Sequence, residues 1–243
     1  MKEIPFVFKK YLFIYLTLGF IAFTVIGTLS HEFGHYAVAK YFGWNPRIGY
    51  AYTTFEIDSN NEMFYSIKKI QIKRFDEISN HKSYPEKEEY ENLMGRFRNE
   101  DKIITFGGPI ETLLSSIIGL TLLIIFRKKI SIKESLSFTN WLDVFIALFI
   151  LRQSANMVVA LGSSILISNP HHRGDEFKIA YTFGLNPWSI VIASGIVGLL
   201  ALAWIIFRII PISERFTFIL SGIFGGVSGY ILWLILLGPI ILP

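Results

Sequence analysis

Five stretches of this chain, at residues 11–42, 103–126, 138–167, 187–207 and 216–242, are each long and apolar enough to cross a hydrocarbon layer. A helix needs roughly 20 mostly apolar residues to do so, and in lipid every backbone N–H and C=O must find its partner within the segment. The expected fold class is therefore an all-α polytopic membrane protein with about five transmembrane helices. Composition agrees, since 52% of residues are hydrophobic and the mean hydropathy is +0.47, more apolar than an ordinary soluble domain. A formal charge of +4 and a pI near 9.1 would also admit nucleic acid. The Lys and Arg residues instead gather in short links between apolar stretches, where they suit the headgroups of the lipid bilayer, so no nucleic-acid partner is expected.

The links also set an orientation. Lys2, Lys9 and Lys10, then Arg127-Lys128-Lys129 with Lys133, then Arg208 to Arg215, fall on one side of a five-span chain. The positive-inside rule makes that side cytoplasmic, in a multi-pass protein of the cell membrane. The N-terminal ten residues look like the start of a signal peptide, but no small-residue cleavage site follows, so retention is expected. Residues 1–243 read as a single domain in which 44–102 form an extramembrane or interfacial insertion. Within it, 47–57 and 62–75 are rich in aromatic and β-branched residues, with Asp58-Ser59-Asn60-Asn61 between them, and predict a β-hairpin. Residues 83–99 open with Ser83-x-x-Glu86 and Pro85 in the first turn, which predicts a short amphipathic surface helix. In the last span, Gly222/Gly226 and Gly225/Gly229 predict a close helix approach.

The first span carries chemistry as well as hydrophobicity. Ser30-His31-Glu32-Phe33-Gly34-His35 contains His-Glu-x-x-His, and a spacing of four sets both imidazoles on one helix face, able to share a metal. Glu32 then stands beside that metal as a general base. A carboxylate at membrane depth costs roughly 2.5–3.5 kcal/mol, so an unemployed motif here would be a burden. With no cysteine in the chain, a third ligand must be His, Asp or Glu. The polar break from Ser168 to Glu176 offers Asp175 as first choice, with His171, His172 and Glu176 as rivals. Further polar residues interrupt the later spans. Gly107-Gly108-Pro109 suits a helix start with close backbone approach, and Glu111 follows it. Arg152, Gln153 and Asn156 form a polar patch on the third span, and an ion pair between Glu111 and Arg152 is expected there.

Together these residues resemble the site-2 protease-like intramembrane zinc metalloproteases. The run from His31 to Gly43 is similar to that family's His-Glu-x-Gly-His followed by small residues, a basic residue and a closing glycine. Gly108-Pro109 is similar to the Gly-Pro at the head of its next core helix. The family's third motif, an Asn followed by Pro and then Asp-Gly, is matched with departures: Asn156 lies far upstream, Asn169-Pro170 is a nearer match, and Glu176 stands where glycine is usual. The resemblance implies zinc (Zn2+) held by His31, His35 and Asp175, with Glu32 as general base. It further implies an endopeptidase acting on single-span transmembrane protein substrates whose helices unwind. Asn156 is expected to hydrogen-bond the substrate backbone or the oxyanion. The hairpin is expected either to present substrate or to cap the opening. The departure at Glu176 motivates the alternative of a catalytically inactive metal-binding scaffold.

Overall fold

The computed structural model describes residues 7–56, 61–131, 135–166 and 174–243. Among them, five helices are long and apolar enough to cross a membrane, and the fold is all-α and polytopic with one small two-stranded sheet. The first is α1 (Lys10–Tyr41). After it come strands β1 (Asn45–Ile48) and β2 (Thr53–Glu56) and two short helices, α2 (Glu62–Lys73) and α3 (Phe75–Ser79). Helix α4 (Lys87–Ser131) is the second span. Helix α5 (Phe138–Ala147), a 3-10 turn at Leu148–Ile150 and α6 (Leu151–Leu166) make the third. Short α7 (Asp175–Thr182) precedes α8 (Trp188–Arg208). The last span is α9 (Ile212–Tyr230) continued by a π-helix at Ile231–Leu237 and α10 (Gly238–Ile241).

Helix α1 is the hub, packed against both α4 and α9. The α1–α9 approach uses one glycine pair of the two overlapping ones. A Cβ on Gly225 would strike Thr17 and Phe20, and one on Gly229 would strike Thr24 and Ile21, whereas Gly226 faces open space. With little hydrophobic drive between helices in lipid, such close backbone contact is what van der Waals attraction requires. Beside this seam lies the main core, including Leu16, Leu123, Val144, Phe145, Ile205 and Phe218. At the near end of α1, Glu214 accepts from Lys9 Nζ at 3.0 Å and from the Leu136 N–H at 3.2 Å. Those contacts bring the start of α1, the lead into α5 and the start of α9 together, so Lys9 and the α8–α9 link lie at one end as the basic clusters predicted.

Two expectations for the insertion are corrected. The hairpin forms inside the first segment alone: Asn45 to Ile48 pair antiparallel with Thr53 to Glu56, closed by Gly49 N–H to the Tyr52 carbonyl at 2.8 Å. Residues 62–73 are helix α2, because Met63, Phe64, Ile67 and Ile70 recur at helical spacing and are all buried. Asn61, expected in a β-turn, caps that helix by accepting from the Met63 and Phe64 N–H groups. The α2 face packs with Trp44, Ala39 and Ile104 in a second core. The predicted surface helix also differs, since it begins at Lys87 and runs without interruption into the second span. Strong helix formers fill the junction, and Arg96 donates to Glu100 one turn on at 2.7 Å. Glu100 accepts from the Trp44 indole at 2.7 Å as well, which ties the base of the insertion to α4.

Candidate metal centre

Crossing of α1 and α4 creates the site. Gly34 meets Gly107 with bare backbones, since a Cβ on either would collide with the other's main chain. Pro109, expected in a helix first turn, lies well inside α4, where its ring removes one backbone hydrogen bond of that helix. His31 and His35 on α1 therefore face the Gly107-Gly108-Pro109 segment. Gly108 provides the room: a Cβ there would come within 2.5 Å of His31 Nε2 and would also strike His35 Nε2.

Each imidazole is aimed by its other ring nitrogen. His35 Nδ1 lies 2.8 Å from the Ile104 carbonyl, which can only accept, and the tautomer with its proton on Nδ1 satisfies that carbonyl and leaves the Nε2 lone pair for a metal. His31 Nδ1 lies 2.9 Å from Thr112 Oγ1, a hydroxyl able to accept from an Nδ1–H. Both imidazoles are buried. The two Nε2 atoms are 3.3 Å apart.

Asp175 closes the triangle from 140 residues further along the chain. Its Oδ2 lies 3.0 Å from His31 Nε2 and 3.1 Å from His35 Nε2. It is the first residue of α7, and the preceding Gly174 has φ of 124°, a region that favours glycine, so the chain can turn there into the site. Among the described residues, His31, His35 and Asp175 form the group whose donor atoms converge. A tetrahedral zinc with bonds of about 2.0–2.1 Å sets neighbouring donor atoms roughly 3.3 Å apart, which the edges of 3.0, 3.1 and 3.3 Å approach. The donor set thus fits a zinc ion: two imidazoles with outward N–H groups satisfied, one carboxylate, and space kept by a glycine.

Glu32 is buried, 3% exposed, beside this group. Its Oε2 accepts from Thr53 Oγ1 at 3.1 Å, so strand β2 lies directly over it. Its Oε1 is 3.5 Å from Arg152 Nη2. This corrects the expected Glu111–Arg152 pair. Arg152 reaches across to α1, while Glu111 Oε1 accepts from Ser30 and from Ser115 on its own helix. Of the rival third ligands, Glu176 points away, accepting from Asn156 Nδ2 at 3.0 Å. Asn156, expected to touch substrate, donates to Glu176 and so ties α6 to the first turn of α7 beside Asp175. His171 and His172, with the Asn169-Pro170 match, lie outside the described residues. Thr112, Thr53 and the Ile104 carbonyl escaped the sequence reading, since a hydroxyl or a backbone carbonyl carries no motif of its own. Compared with protein-family models, curated proteins and solved structures, the chain finds no match.

Proposed function

We propose that this chain is a zinc-dependent endopeptidase of the site-2 protease-like kind, hydrolysing peptide bonds in or next to transmembrane segments of membrane proteins in the cell membrane. The observation that carries the reading is the convergence of His31, His35 and Asp175 within a bundle of membrane-length helices, with buried Glu32 alongside. His31, His35 and Asp175 would hold the ion, which when bound polarises a carbonyl and lowers the pKa of water toward about 7. Thr112 and the Ile104 carbonyl keep both imidazoles turned inward for that task.

Glu32 has the general-base role. It takes a proton from the attacking water as the water oxygen adds to the scissile carbonyl carbon, and returns that proton to the nitrogen as the C–N bond breaks. The products are one carboxyl and one amine terminus. A helical substrate hides its carbonyls in its own hydrogen bonds, so it must unwind before it can react. The β1–β2 sheet supports that step, because a two-stranded sheet keeps an outer edge on each strand and β2 already touches Glu32.

The test is zinc per chain, by elemental mass spectrometry on detergent-purified protein, together with cleavage. Wild type is expected to hold about one zinc, Asp175→Ala to lose it, and Glu32→Gln to keep zinc while losing cleavage. Zinc retained in Asp175→Ala would move the third ligand elsewhere. A Glu32→Gln protein with its cellular effect intact would replace the protease by a metal-binding scaffold.

A further inference from the structure

Arg152 is the sole charged residue of α6, set on the first turn after the 3-10 break at Leu148–Ile150. A guanidinium offers five N–H donors and, at membrane depth, ordinarily engages them. Here the engagement is slight. Nη2 stands 3.5 Å from Glu32 Oε1, beyond a good hydrogen bond, and Nε is buried without a hydrogen-bond partner among the described residues. A buried donor left open in a folded protein calls for an explanation, and one beside a general base points to the reaction. Among the described residues, Glu32 is the acid that faces it.

We propose that Arg152 is a catalytic residue: its guanidinium donates to the oxygen of the scissile carbonyl and stabilises the negative charge that develops there. This builds on the endopeptidase reading above. The charges explain why this position matters. Acting as general base, Glu32 starts the reaction as the carboxylate whose Oε1 stands 3.5 Å from Arg152 Nη2. As the water oxygen bonds to the carbonyl carbon, the C=O π pair moves onto the carbonyl oxygen and the water proton moves to Glu32. Negative charge thus leaves Glu32 and appears on the substrate oxygen in a single event. Arg152 gives up one counter-charge and gains another, so its interaction with substrate is stronger in the transition state than before it, which is the condition for acceleration. When the C–N bond breaks and Glu32 returns its proton to the nitrogen, the original pair re-forms.

The experiment compares wild type, Glu32→Gln, Arg152→Gln and Arg152→Lys as zinc-loaded full chains in detergent. The probe is a quenched fluorogenic peptide of one apolar span with a Gly-Ser centre, and a phosphonate version of it mimics the charged tetrahedral state. Arg152→Gln is expected to keep one zinc per chain and the wild-type KM, with kcat lower by about 10²–10³-fold, the cost of one lost oxyanion donor. Phosphonate affinity should fall with kcat, and Arg152→Lys should recover part of both. Unchanged kcat overturns the proposal. Loss of kcat with phosphonate affinity unchanged also overturns it, leaving Arg152 to act only through Glu32, and loss of zinc or fold in both variants assigns it a structural role. Absence of Glu32-dependent cleavage in wild type would sink the endopeptidase reading itself and Arg152's role with it. Cleavage that needs Glu32 but not Arg152 sinks the Arg152 proposal alone.

Discussion

Glu214 and Glu32 are buried to the same degree, each 3% exposed, toward opposite ends of α1, and they are held in opposite ways. Glu214 accepts at both carboxylate oxygens, from Lys9 at 3.0 Å and from a backbone N–H at 3.2 Å, and these partners come from separate parts of the chain. Among the described residues, Glu32 has one hydroxyl at 3.1 Å and a guanidinium at 3.5 Å whose Nε is unmatched. Desolvating a carboxylate is costly in either place. At the Glu214 end the compensation is complete and the result is a clamp. At the Glu32 end compensation is partial, and the groups left under-satisfied are the ones a reaction would use. On the function proposed above, burial alone does not mark a functional acid; the completeness of its partnering separates the two.

Substitutions can break or sharpen this contrast. Glu32→Gln should lower kcat by about 10²–10⁴-fold while the unfolding transition stays near that of wild type, because only proton transfer is lost. A comparable loss of stability would make Glu32 a second clamp. Thr112→Val removes the partner of His31 Nδ1 and should weaken zinc binding by about 10–100-fold, read by chelator competition, with the fold retained. Glu214→Gln should act in reverse. Folding should weaken by about 2 kcal/mol, a value discounted because Lys9 is about a third exposed, while activity per folded, zinc-loaded molecule is unchanged.

The smallest effect belongs to a half-buried carboxylate in the insertion, Glu86, which sharpens the contrast by showing an ion pair away from the candidate centre. Hydrogen bonds from Lys73 and Arg74 pull its pKa down to about 2 from an ordinary 4.5. A depressed folded pKa means the pair stabilises the α2–α4 junction above pH 4.5, and that contribution is lost as pH falls from 4.5 toward 2. Protection of α2 amides, taken relative to the intrinsic exchange rate at each pH, should fall slightly over that window in wild type, and Glu86→Gln should remove that change in protection.

The five spans were legible because length and apolarity are local properties, and lipid leaves a chain few ways to satisfy its backbone. His31, Glu32 and His35 were legible for a similar reason, since a spacing of four on one helix sets their geometry before any packing occurs. The insertion misled because Ile67, Ile70 and Ile72 favour strands by type, while the spacing of Met63, Phe64, Ile67 and Ile70 makes a helical face that Trp44 and Ile104 bury. Composition spoke for one structure and packing decided for the other. The polar patch on the third span was seen, but not that Arg152 would face Glu32 instead of Glu111.

What the sequence determined by itself is what one segment can express: membrane-length helices, basic links gathered at one end, and two imidazoles on a common face. What only the tertiary structure decided is which distant groups meet them. The Gly34–Gly107 contact sets the depth at which Ile104 and Thr112 hold the histidines, and the turn at Gly174 delivers Asp175 across 140 residues of chain. The 3-10 break before α6 precedes the turn from which Arg152 reaches Glu32. Such meetings depend on how helices cross, and crossing is set by the summed shape of many side chains, which no short pattern of residues encodes.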